Sequence, residues 1–162
     1  MKEDESPRES LRALNTREKK EVNKRIAEHW DCELDKSLVW LLSNKDKLYV
    51  ATPDISVLDF KKLRIDKVGL YVCTVTDKDV RPSIEGSQIL GPQAKKNVLD
   101  ITPHDVDLWL RGNDLDIDPK GCQGCVMLRC GTDFVGCGKV TQKGILNFVP
   151  KARRIISHSK TE

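Results

Sequence analysis

Three short apolar runs close the chain, CVMLRC, FVGCGKV and ILNFV, with Gly-Thr-Asp and Gln-Lys-Gly as the turns between them. Runs this short, rich in valine, phenylalanine and isoleucine, read as strands rather than helices. Glycine-bearing turns this short can only join neighbours in an antiparallel meander. The second half is therefore built on a sheet. Pro150 ends the last run, because proline has no N–H to donate to a ladder.

Upstream, the pattern mixes helix and strand. Residues 1–16 have no periodicity and read as a flexible N-terminus. Val22, Ile26 and Trp30 recur at helical spacing among charges, which predicts an amphipathic helix over Arg17–Asp31. SLVWLLS and KLYVAT flank the turn-rich NKD and predict a hairpin. Thr52-Pro53 offers a helix cap with proline at the first helical position, so a short helix is expected over Asp54–Phe60. GLYVCTVT (69–76) is a strand. The polar DKDVRPS then places a boundary near residues 77–80. Ser83 caps a helix through IEGSQIL that Gly91-Pro92 ends, and KNVLDI (96–101) is a strand. Thr102-Pro103 opens a helix that includes Val106, Trp109 and Leu110 and stops at Gly112. This predicts an α+β chain in four parts: a flexible N-terminus (1–16), a small α+β subdomain (17–78), a second domain (79–156) and a basic tail (157–162).

Composition narrows the function. The 162 residues have 38% hydrophobic and 33% charged content and a formal net charge of +3. No apolar run approaches the roughly 18 residues of a membrane span, and MKEDESPRES is charged where a signal peptide is apolar, so a cytoplasmic protein is expected. Charge is unevenly distributed. Residues 100–118 carry six aspartates against one arginine. From Lys139 onward, Lys139, Lys143, Lys151, Arg153, Arg154 and Lys160 face only Glu162 among acidic groups. A basic end of this kind points to a polyanion, or else is a solvated tail.

The order RPSIEGSQILG, KKNVLDIT, FVGCGKV, ILNFVPKARR, preceded by GLYVCTV, resembles the PUA-like RNA-binding domain of the Sun/Fmu group. That group comprises RNA 5-methylcytosine methyltransferases and small stand-alone archaeal ribosome-biogenesis proteins. The resemblance covers about residues 66–156. It implies a mixed β-barrel with short helices that binds structured rRNA or tRNA in ribosome biogenesis or RNA modification. The partners it implies are RNA together with an RNA-modifying enzyme or a pre-ribosomal particle. The family's contacts, carried to matching positions, fall on Arg81, Ser83, Lys95, Lys96, Asn97, Lys139, Lys143, Asn147, Lys151, Arg153 and Arg154. Cationic side chains neutralise phosphates with release of counterions, and small polar ones suit 2′-hydroxyls. Simpler roles stand beside these: Ser83 as a helix cap, and Lys95 and Lys96 as an exposed strand end. Gly86 within a helical stretch means either an interrupted helix or a backbone passing close by.

Features of an enzyme are missing from the sequence. There is no GxGxxG and no GxxxxGK[ST], and no cysteine nucleophile stands in a proline-bearing loop. His29, His104 and His158 have no companion serine or cysteine at a motif spacing. No catalytic residue and no cofactor are expected. Asp114, Asp116 and Asp118 alternate in DLDID, which would line one face of a strand as a divalent-cation site or as a solvated edge. The alternative function rests on Cys122, Cys125, Cys130 and Cys137, which could hold zinc or act as a redox pair in an interaction protein. Against zinc, only the first two cysteines form a CxxC, and buried free cysteine also packs as a small hydrophobe.

Overall fold

The computed structural model describes residues 10–59 and 68–156. Its first helix, α1 (Thr16–Trp30), starts at Asn15, whose side chain accepts from the Glu18 N–H while the Glu18 carboxylate accepts from the Asn15 N–H. That reciprocal capping box satisfies two otherwise orphaned donors. Val22, Ile26 and Trp30 are buried along one face, as the period requires. Asn23 shares that face and is buried because its amide bonds both the N–H and the C=O of Leu34, pinning the chain that leaves the helix.

The first sheet contains β1 (Leu11–Ala13), β2 (Val39–Ser43), β3 (Lys47–Ala51), β4 (Leu70–Val75) and β5 (Val80–Pro82), in that spatial order and antiparallel throughout. The second contains β6 (Val98–Asp100), β7 (Cys125–Cys130), β8 (Asp133–Thr141) and β9 (Gly144–Asn147), also in chain order. The β7–β8–β9 meander is antiparallel, and β6 joins β7 in parallel. Between the sheets lies α2 (Ile84–Leu90), capped by Ser83. The connection from β6 to β7 contains α3 (Pro103–Leu110), which Thr102 and Asp105 start with a second capping box.

The architecture is α+β, but the sheets are not closed into a barrel. The ladder stops at β5, whose Pro82 has no N–H to extend it. Other expectations are corrected locally. Part of the stretch expected to be irregular forms β1, an edge strand against Leu41–Ser43; three residues are too few to show a period. The turn after Thr52 is a 3-10 helix over Pro53–Val57 rather than an α-helix, and Phe60 lies outside the described residues. The last strand ends at Asn147, before Phe148 and Val149. The boundary expected near 77–80 falls on the β4–β5 turn, and β5 pairs with β4, so the first sheet extends past it. The expected basic tail, 157–162, lies outside the described residues.

Two apolar clusters sandwich the second sheet. Alternation along β7 sends Cys125 and Met127 into one cluster and Val126 and Leu128 into the other. The first cluster also takes Trp30, Trp40, Leu48 and Val72, so α1 and both sheets share one core. The second gathers Leu99, Trp109, Leu115 and Ile145 under α3. Gly86 resolves the earlier alternative: α2 is continuous, and a Cβ at Gly86 would lie 1.8 Å from the Val72 carbonyl oxygen. The helix seats directly on β4 because that side chain is absent.

Candidate nucleic-acid interface

The two sheets meet along a seam with a groove on each side. The larger, about 550 Å³, is lined by α1 residues Arg25, Glu28, His29 and Trp30, by Lys78, Asp79 and Arg81 around β5, and by Lys139 and Phe148. The second, about 400 Å³, runs past Lys47, Tyr71, Glu85 and Arg153. Arg81 and Phe148 line both. Arg81 Cζ lies 4.6 Å from the centroid of the Phe148 ring, a cation–π contact. Its Nε donates to Asp79 at 3.0 Å. Burial raises the Asp79 carboxyl, but the Thr76 hydroxyl and the Arg81 guanidinium outweigh that and hold it below its ordinary range.

Neighbouring groups are held just as specifically. Arg25 Nη2 donates to the Thr76 carbonyl at 2.7 Å, fixing α1 to the β4–β5 turn. His29 Nε2 lies 2.6 Å from the Cys125 carbonyl oxygen, so this nitrogen carries the proton. Lys47 Nζ sits 5.6 Å over Tyr71. The seam thus combines cations with the rings of Trp30, Tyr71 and Phe148, a composition suited to a polyanion that carries planar bases.

The expected contact residues separate into three groups. Arg81, Lys139 and Arg153 line the seam grooves, as does Ser83, whose hydroxyl is nonetheless turned inward. Lys96, Lys143 and Lys151 are exposed away from the grooves' linings, and Lys95, also exposed, lies 3.9 Å from Asp31. The others are turned toward the protein. Ser83 Oγ accepts from the Gly86 N–H and is 2.7 Å from the Tyr71 carbonyl, so it caps α2. Asn97, at φ +53, donates to the His29 carbonyl and accepts from the Gln123 N–H. Asn147 donates to the carbonyls of Trp109 and Asn113 and accepts from the Val149 N–H. Arg154 Nε donates to the Val149 carbonyl, and its side chain lies against Gly112, whose φ is +93. Arg25, Lys78 and Phe148 were not among the expected contacts. The polar face of α1, the DKD turn and the ring following Asn147 were the available signals, but they are far apart in the chain.

The cysteines do not converge on one point. Cys125 and Cys137 lie in the first cluster with their sulfurs 3.1 Å apart, whereas Cys122 and Cys130 pack against the second. The sheet separates the two pairs, which contradicts a four-thiolate zinc site. No group of three potential metal ligands occurs among the described residues. In DLDID, Leu115 is buried and bridges Ile145 while the aspartates on either side are exposed. Asp114 accepts from the Asn147 N–H and Asp118 from the Lys120 N–H. Among the described residues no helix is long and apolar enough to cross a membrane.

Residues 96–155 match the family model described as the methyltransferase RsmF PUA domain. No curated protein matches the chain. The match takes in the second sheet from β6 onward, α3 and the basic 3-10 turn over Lys151–Arg153; Arg81 and Ser83 precede it. The C-terminal part of this chain is thus similar to the PUA-like domain of Sun/Fmu-type methyltransferases.

Proposed function

We propose that the protein is a non-catalytic RNA-binding protein of the cytoplasm. Its ligand is structured rRNA or tRNA, met during ribosome biogenesis or RNA modification, in company with a modifying enzyme or a pre-ribosomal particle. The observation that carries the reading is the PUA-like domain whose edge contributes Lys139 and Phe148 to a cation-lined seam. Basic side chains set over half-buried rings suit a phosphate backbone and its bases, and PUA domains are RNA-binding modules.

A mobility-shift titration with structured RNA at fixed salt tests this. Binding tighter than about 1 µM, beyond the usual range of non-specific association, is the expected result. No shift at higher protein concentration would remove the RNA-binding reading. Mass analysis of the RNA recovered after incubation tests the non-catalytic part: its mass should be unchanged.

A further inference from the structure

We propose that the larger groove takes one unpaired nucleotide, its base stacked on the guanidinium of Arg81 and its flanking phosphates set against Arg25, Lys78 and Lys139. This rests on the RNA-binding reading above and specifies which part of the RNA is read.

Three observations lead to it. First, Arg81 donates through Nε to Asp79, in the plane of its guanidinium, and its Cζ lies over the Phe148 ring. With Nε taken, this guanidinium has lost the side-on fork through Nε and Nη2, but it offers a planar surface, and its side chain remains 42% exposed. Arginine planes and aromatic rings are the surfaces on which splayed-out RNA bases stack. Second, Arg25, Lys78 and Lys139 border the same groove, whose volume of about 550 Å³ lies in the range of pockets that enclose small ligands. Of the two carboxylates there, Asp79 is already engaged by Arg81 and Thr76, leaving Glu28 as the other. Third, the wall contains Trp30, whose Nε1 is buried with no hydrogen-bond partner among the described residues. The other two fully buried indoles donate to carbonyls, Trp40 to Asp35 and Trp109 to Val135. Among these three indoles, the one without an acceptor is therefore the one at the wall of this groove. An intact duplex cannot present a base face to such a groove, because its bases are stacked on one another.

The test is fluorescence anisotropy with three RNAs of equal length at one salt concentration: a duplex, the same duplex with a single-nucleotide bulge, and the bulged form with an abasic residue at the bulge. The bulged RNA should bind about tenfold more tightly than the other two, the size of one base stack. Arg81→Lys keeps the charge and loses the plane, so the bulged RNA should then bind no more tightly than the duplex or the abasic form. Phe148→Leu should act alike, with thermal denaturation confirming that each variant is folded. Equal affinity for all three RNAs, or a preference that survives Arg81→Lys, overturns the unpaired-nucleotide proposal while leaving RNA binding in place. Failure to bind any of the three overturns the RNA-binding reading itself.

Discussion

Arg153 reaches from the turn after the last strand back to α2, where its Nη2 lies 2.6 Å from Glu85 Oε1. Burial raises the Glu85 carboxyl, but the Arg153 guanidinium outweighs this and holds it below the ordinary range. The pair keeps Arg153 at the groove rim and at the same time occupies part of its charge. Glu85→Gln should therefore strengthen RNA binding, by on the order of threefold, since an exposed pair of this kind contributes roughly 0.2–1 kcal/mol. Arg153→Ala should weaken it. Titrations of both variants against one RNA check this, and equal affinities would remove Arg153 from the interface.

RNA affinity should fall steeply with salt. Each phosphate neutralised by a side chain such as Lys139, Lys143 or Lys151 contributes about −0.7 to −0.9 to the slope of log affinity against log salt. A slope near zero between low and physiological salt would show that these lysines do not contact phosphates.

Asn147→Ala should cost stability rather than affinity. The side chain makes three hydrogen bonds, to Trp109, Asn113 and Val149, at 2.8, 2.8 and 2.7 Å. Losing them should cost about 2–3 kcal/mol, at roughly 1 kcal/mol for each bond. Urea denaturation measures this loss. Below the transition, the variant's RNA affinity should match that of the wild type.

Gly86→Ala should be destabilising although alanine favours helices by about 1 kcal/mol. The new methyl would collide with the Val72 carbonyl, 1.8 Å from the ideal Cβ, so α2 or β4 must shift. Overpacking of this kind costs about 1–3 kcal/mol. An unchanged or raised melting temperature would mean that α2 does not sit on β4 as closely as described.

Burial pushes the Cys73 thiol up to about 12 from an ordinary 9.0. Above about pH 9 the unfolded chain loses this proton while the folded protein keeps it. The native state then holds more protons, so stability falls as pH rises from 9 toward 12, and this contribution is fully retained below 9. Replacing Cys73 with alanine should flatten the fall, as read from urea midpoints at pH 8 and pH 10.5 after allowing for the alanine's uniform cost. The same slope in both proteins would place the alkaline sensitivity elsewhere.

The parts of the fold that could be read from sequence were those with a period or a punctuated turn. Val22, Ile26 and Trp30 announce α1 because a buried helix face must repeat every 3.6 residues. Gly-Thr-Asp and Gln-Lys-Gly announce the meander because short turns leave no other pairing. β1 was missed since Leu11–Ala13 needs only the edge of β2 to form, and nothing local encodes that edge. The interface was legible as charge but not as place. Ser83, Asn97 and Asn147 have the chemistry to meet a 2′-hydroxyl, but the same groups serve turns and caps, and here the backbone holds them. Arg25 and Phe148 become neighbours only when α1 packs beneath the second sheet.

The shared core under β7 also bears on what can be separated from this molecule. Cys125, Met127, Phe134 and Cys137 belong to the segment that matches the PUA model, but their apolar partners include Trp30, Trp40, Leu48 and Val72 from outside it. Excised as residues 96–155, the domain would expose one side of its sheet as an uncovered greasy surface, the kind that aggregates rather than folds. Here the recognisable module and the autonomous folding unit have different borders, and a fusion or transplant of this PUA-like domain would need α1 and the first sheet to travel with it.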